Sequence, residues 1–191
     1  VWLQIAKCID HLKKFSLHSL REQISYVPQD VFLFSDTVHN NISFGLKERA
    51  TAEMVQKAAE FASIHNEITQ FDKQYETMIG ERGVTLSGGQ KQRISIARAL
   101  IKKPKLLILD DSLSAVDTKT EHTILNHLKE VMQGCTSIII SHRVSSLKLA
   151  DNILVLEDGK IVESGTYEAL LKLPQGKFRE LYEKQSEKER A

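Results

Sequence analysis

Glycine is scarce and comes late: the chain has nine in 191 residues, and the first is Gly45. No Gly-Lys-Ser or Gly-Lys-Thr occurs anywhere. These residues therefore contain no G-x-x-x-x-G-K-[ST] loop, the element whose backbone amides and lysine wrap nucleotide phosphates. Cysteine is nearly absent too. Cys8 and Cys135 lie far apart and fit no metal or redox spacing, which excludes a disulfide scaffold and reads as two reduced cytosolic thiols. No apolar run approaches the ~20 residues that span a bilayer, and no secretory signal is recognisable. An excess of one charge is also missing. With 26 Lys+Arg against 25 Asp+Glu, the formal net charge of +1 gives no basic surface for nucleic acid. The seven histidines are scattered, and His122 and His127, five positions apart, miss the i, i+4 face that a helical metal pair needs.

What is present reads as α/β. At 41% hydrophobic content there is chain enough for one sizeable core, or one core plus a small subdomain. Ile24 to Val27 reads as a short strand, and helices are expected over 51–63, with Thr51 as cap, and over 88–101. Strands at 105–110 and 136–141, both buried, flank a helix from Thr118 to Met132, a βαβ unit and hence a parallel sheet. Glu157-Asp158-Gly159 between two apolar runs signals a hairpin. Helices at 166–172 and 177–186 follow, and the charged tail after Gln185 is expected to be disordered.

Two segments carry chemistry. In Leu86-Ser87-Gly88-Gly89-Gln90-Lys91-Gln92-Arg93 a serine and two glycines open a helix marked by Ile94, Ile96, Ala97, Leu100 and Ile101. Bare backbone N–H groups at such a start make an anion cradle, although Ser-Gly-Gly alone also fits an ordinary capped helix. In Leu106-Leu107-Ile108-Leu109-Asp110-Asp111, Asp110 would project from the carboxyl end of a buried strand, where open α/β sheets bind ligands. An acidic pair there is also a common loop start.

The full octapeptide resembles the signature motif of the ATP-binding cassette (ABC) ATPases, and the second segment resembles their Walker B strand. Five further pieces resemble parts of the family. Val27-Pro28-Gln29-Asp30 resembles the Q-loop, Ser114-Ala115-Val116-Asp117 the D-loop, and Thr136 to His142 the strand leading to the H-loop histidine. Ile79-Gly80-Glu81-Arg82-Gly83 resembles the X-loop of exporter-type cassettes, and Leu17-His18-Ser19-Leu20-Arg21 the helix that precedes the Q-loop strand. Gln29 as a solvated turn residue and His142 as a core histidine are the plainer readings of those two alone.

The resemblance implies a P-loop NTPase-like ABC ATPase domain, mostly parallel sheet with a helical subdomain, whose first strands are missing. It divides the chain into 1–27 (remnant of the N-terminal β region, 1–15 atypical), 28–101 (Q-loop and helical subdomain) and 102–191 (α/β core and C-terminal helices). It implies ATP and Mg²⁺ as cofactors. Ser87, Gly88, Gly89 and Gln90 would contact the γ-phosphate of ATP held by the opposite subunit, with Asp117 crossing the interface. Gln29 and Asp110 would hold Mg²⁺, and Asp111 and His142 would be catalytic. The implied partners are a second nucleotide-binding domain and the transmembrane domains of an exporter, with no nucleic acid. The implied place is the cytoplasmic face of the cell membrane.

Three departures qualify this. The P-loop is absent, and Trp2 falls too late in the family's order to be its adenine-stacking aromatic. Over residues 1 to 15, Trp2, Ile5, Ile9 and Leu12 recur at helical spacing where the family has strands, so a frayed helix of non-family sequence is expected. Asp111 stands where the family usually has glutamate. One methylene less moves a water-polarising carboxylate by about an ångström, an error that can cost ~10²-fold. Asp111 is either a tolerated variant acting through a second water or the mark of the degenerate-site subunit of a heterodimer. The expected function is the ATPase component of an ABC-type exporter, the 191 residues alone being inactive. The alternatives are a soluble ABC-type ATPase of DNA repair or translation, and a non-enzymatic truncated cassette.

Overall fold

Lys105 and Gln23, far apart in sequence, are joined by a backbone hydrogen bond of 2.8 Å that aligns the two strands following them. The structure is a computed structural model that describes residues 16–46, 50–80 and 84–190, with backbone alone for 188–190. The helical stripe expected over residues 1 to 15, and Glu81, Arg82 and Gly83 of the X-loop-like segment, lie outside the described residues.

The chain forms two compact units, divided between Ile138 and Ile139. In the first, helix α1 (Leu17–Gln23) starts at Ser16, whose Oγ accepts the Ser19 N–H, and runs into strand β1 (Ile24–Val27). Strand β2 (Leu106–Asp110) pairs with β1 in parallel, Ile24 opposite Leu106 through Val27 opposite Leu109. Strand β3 (Thr136–Ile140) completes the order β1-β2-β3, and the division between the units falls inside it. Between β1 and β2 lie α2 (Val38–Ser43), α3 (Ala52–Phe61), α4 (His65–Ile68) and α5 (Gly88–Leu100). Thr51 caps α3 as expected, accepting the Met54 N–H at 3.3 Å. Helix α6 (Thr118–Met132) makes the crossover from β2 to β3. Helix α5 is central: α2, α3 and β1 pack on it, burying Val38, Ile42, Val55, Ala59, Ile94 and Ile96 completely.

Burial departs from the sequence reading at two strands. Leu107 and Leu109 are buried, but Leu106 and Ile108 are only partly covered, so β2 has one fully packed face among the described residues. Strand β3 is not a buried strand: Ile138 is 47% and Ile140 50% exposed, because β3 is the edge strand of this sheet among the described residues.

The second unit is built on the antiparallel hairpin of β4 (Ile153–Glu157) and β5 (Lys160–Gly165). Asp158 and Gly159 both have positive φ, 49° and 74°, the conformation that two-residue hairpin turns require. Helices α7 (Tyr167–Leu171) and α8 (Lys177–Arg190) follow. Val144, Ile153, Val155, Tyr167, Leu170 and Phe178 form its core. The tail expected to be disordered after Gln185 is helical to Arg190, continuing a helix whose preceding turns carry the i, i+4 ion pairs Arg179–Glu183 and Glu180–Lys184.

Candidate functional site

Ser87 opens α5 with extended backbone, and a reciprocal capping box fixes the helix start. Its Oγ accepts the Gln90 N–H at 3.2 Å, while Gln90 Oε1 accepts the Ser87 N–H at 2.9 Å. The N–H groups of Gly88 and Gly89 belong to the first turn, where no carbonyl of the helix reaches back to them. Ser87 and Gly88 are exposed, and no acidic residue stands in that turn. The positive pole of a 13-residue helix therefore has no acid within its own first turn, and its exposed face at Ser87 and Gly88 suits an anion. Gly89 allows the helix start to press on the loop after β2: a Cβ there would lie 2.8 Å from the Ala115 carbonyl oxygen.

Behind this start, Glu67 accepts from Gln90 Nε2 at 2.8 Å and from Arg93 Nη1 at 2.5 Å. Arg93 is buried and also donates to the carbonyls of Ser63 (2.8 Å) and Gly89 (3.2 Å). Burial pushes the Glu67 carboxyl up, but the hydrogen bonds from Arg93 and Gln90 and the Arg93 charge outweigh it and hold the group below its ordinary value. The carboxylate thus anchors the cradle from the side away from its open face.

The parallel register brings the carboxyl ends of β1 and β2 to one sheet edge. Asp110 ends β2 there, half-buried, and its Oδ2 accepts a 2.9 Å hydrogen bond from the Tyr26 hydroxyl. Gln29 is exposed, two residues past the end of β1. Asp111 has φ +43°, a conformation uncommon outside glycine that asparagine and aspartate adopt most readily. Ser114 closes the turn around it, donating to the Asp111 carbonyl through its N–H (3.2 Å) and its Oγ (2.9 Å). Asp117 caps α6, accepting the Thr120 N–H at 3.0 Å, and that hydrogen bonding lowers its carboxyl below the ordinary range. His142 belongs to the second unit, where it is exposed and its carbonyl accepts from the Gln185 side-chain amide.

The sequence profile of one family, described as ABC transporter, matches residues 5–114. The chain belongs to the ABC transporter family. It is 50% identical over 179 residues to the ABC transporter ATP-binding protein YknU of Bacillus subtilis (strain 168), covering 93% of this chain and 30% of that protein. It is 47% identical over 174 residues to an ATP-dependent lipid A-core flippase of Methylobacillus flagellatus, covering 91% and 30%. It is 48% identical over 171 residues to the multidrug resistance-like ATP-binding protein MdlA of Escherichia coli (strain K12), covering 90% and 29%. Among solved structures, a bacterial Atm1-family ABC exporter with ATP bound matches with a TM-score of 0.82 and 41% identity, over 88% of this chain and 30% of that one. The chain thus spans about 30% of the length of these relatives.

Within this ABC domain the structure gathers the expected residues into two groups of the first unit. Ser87, Gly88, Gly89 and Gln90 lie at the start of α5, against the Ala115 turn. Gln29, Asp110 and Asp111 lie at the carboxyl edge of the sheet. Tyr26, Glu67 and Gln92 escaped the sequence reading. Gln92 lay inside the octapeptide, and Tyr26 stood two positions before Pro28, but Glu67 had no local signal. Among the described residues there is no cluster of three metal-ligating side chains.

Proposed function

We propose that this chain is the nucleotide-binding portion of an ABC exporter, working through ATP binding and hydrolysis across a dimer of such domains. The observation that carries the reading is the exposed start of α5 at Ser87 and Gly88, pinned by its capping box and by Glu67 behind it, with Gly89 pressed against the loop that follows β2. The fit to MgATP rests on two features. The donors of Ser87, Gly88 and Gly89 suit a terminal phosphate, and the Asp110 carboxylate at the end of β2 suits Mg²⁺, which keeps most of its sphere for water and phosphate oxygens. When bound, MgATP supplies the phosphoanhydride bond that water cleaves.

Ser87 Oγ and the Gly88 and Gly89 amides would bind the γ-phosphate of ATP held by the facing subunit, with Asp117 at the interface. Asp110 and Gln29 would hold Mg²⁺ for this chain's own site. There Asp111 would orient water and His142 would contact the phosphate. With aspartate rather than glutamate at 111, this own site is the slow one, and the chain is the degenerate-site subunit of a heterodimer. Its signature and D-loop serve the competent site. The transmembrane domains are the other partner, and the cytoplasmic face of the membrane is the place of action. By themselves the 191 residues, which contain no Gly-Lys-Ser/Thr, are inactive.

The names of the relatives favour the exporter over a soluble ABC-type ATPase of DNA repair or translation. Expressed from its complete reading frame, the protein is expected to fractionate with membranes and to hydrolyse MgATP in proteoliposomes. Recovery of the ATPase in the membrane-free fraction would favour the soluble reading, and no turnover in either fraction would favour a non-enzyme.

A further inference from the structure

Helices α3, α5 and α6 of the first unit frame a cavity of about 620 Å³. Its wall is apolar: Met54, Ala58 and Phe61 of α3, Leu100 and Ile101 at the carboxyl end of α5, and Val131 of α6. Two of these helices are joined. Phe61 meets the His127 ring of α6 edge-to-face, centroids 5.7 Å apart, and its carbonyl accepts from His127 Nδ1 at 3.0 Å. A preformed, mostly apolar hollow of this size lies within the ~300–1,000 Å³ range of small-molecule sites, where a few polar groups set the orientation of the ligand.

Charge decides what such a cavity takes. Glu53 and Lys57 line it but neutralise one another, 2.8 Å apart. Lys103 and Lys105 stand exposed on either side of the buried Pro104, and neither has an ion-pair partner among the described residues. The carboxyl ends of α5 and α6 also come to the cavity, and each helix end carries about half a negative charge. Two full positive charges against two halves leave the rim cationic. Lysine stems are apolar while their ammonium heads stay in water, so this rim suits a carboxylate whose chain continues inward.

We propose that the cavity binds an acid with an unbranched apolar body, of the fatty-acid class, its carboxylate at Lys103 and Lys105 and its chain along α3 and the end of α5. None of these residues is assigned to MgATP. The cavity meets α5 at its carboxyl end, whereas Ser87 stands at its start, and it meets the chain at Lys105, ahead of β2, whereas Asp110 ends that strand. The site is therefore independent of the ATPase reading.

Cys135 supplies the readout. It lines the cavity, half-buried, with its thiol donating to the Val131 carbonyl at 3.6 Å, and in a Cys8→Ser chain it is the one cysteine left. Alkylation of that 191-residue chain by iodoacetamide is expected to slow at least about fivefold in saturating decanoate, kept below the concentration at which it forms micelles. The half-protecting concentration should fall roughly tenfold for each two methylenes added from hexanoate through octanoate to decanoate. Lys103→Gln combined with Lys105→Gln is expected to weaken octanoate about three- to tenfold, the worth of two exposed ion pairs, and to change protection by uncharged octanol less than about twofold. Met54→Trp, which fills the cavity from a half-buried position, should abolish protection by both. No protection by any of the acids overturns the proposal. An octanoate affinity that the lysine pair leaves unchanged overturns the assigned anion site, and protection that survives in a folded Met54→Trp chain overturns the cavity. The lysine pair, at exposed positions, keeps the test decisive if Met54→Trp does not fold.

Discussion

Tyr26 and Asp110 lie on neighbouring parallel strands, and the phenol donates a 2.9 Å hydrogen bond to the carboxylate Oδ2. The bond fixes one carboxylate oxygen at the sheet edge. It also raises the tyrosine's pKa above its ordinary value, chiefly through the hydrogen bond itself, with desolvation and the Asp110 charge adding to it. A raised acid pKa places the stabilising contribution fully below the unfolded-state value, near 10, and removes it as pH climbs through the folded-state value. Absorbance titration of the phenols is expected to show Tyr26 ionising later than a free tyrosine, and Tyr26→Phe is expected to diminish the late component that Tyr75 and Tyr167, both raised by burial, share with it. In the complete protein the same substitution should raise the Mg²⁺ concentration needed for half-maximal turnover while leaving the fold intact.

The Gly89 backbone tests the cradle sterically. Gly89→Ala would drive a Cβ to 2.8 Å from the Ala115 carbonyl, a backbone atom that can yield only by moving the loop. The expected cost is about 1–3 kcal/mol, typical of forced overpacking. Gly88→Ala, whose Cβ would meet nothing closer than 3.4 Å, should cost clearly less. Denaturant unfolding of the two variants side by side measures the difference.

The Glu67 anchor makes a pH prediction. Its carboxyl is held below the ordinary value, so its contribution is present above that value, near 4.5, and is lost as pH falls through the lower folded-state one. Glu67→Gln should flatten stability against pH in that acid window. At neutral pH it leaves the buried Arg93 guanidinium without its anion and is expected to destabilise by roughly 2 kcal/mol. Unfolding followed at neutral pH and at about pH 3.5 reads both effects.

Much of this was legible in the sequence because the informative residues are contiguous. Ser87 to Gln90 announced a capped helix, Leu106 to Asp110 a strand with an acid at its carboxyl end, and Asp158-Gly159 a tight hairpin turn, and each forms within a few residues of itself. The contacts that hold the site together were not legible, since they depend on how distant segments align. Tyr26 meets Asp110 only through the strand register, and Glu67 meets Arg93 and Gln90 only through hydrogen bonds between segments more than twenty residues apart. Exposure was misjudged at β3, where three isoleucines promised burial but an edge strand leaves Ile138 and Ile140 open. Charge alone misled at the C-terminus, because the helix that starts at Lys177 continues through the charged residues after Gln185 to Arg190.

The absent Gly-Lys-Ser/Thr motif sets the expected behaviour of these residues taken alone. Isothermal titration of the 191-residue chain with MgATP should detect only binding weaker than millimolar, because the amides and lysine that carry most phosphate contacts are not among them. Micromolar binding would mean that a different phosphate site exists.

The division of labour between Ser87 and Asp111 is the centre of the account, and steady-state ATPase of two variants of the complete protein with its partner tests it most directly. Ser87→Arg should remove most turnover, because the cradle serves the competent site. Asp111→Asn should leave most of it, because little hydrolysis passes through the slow site. A loss of ~10² to 10⁴-fold with Asp111→Asn, the size expected for a missing general base, would contradict the heterodimer reading, and survival of turnover in both variants would contradict the roles assigned to both residues.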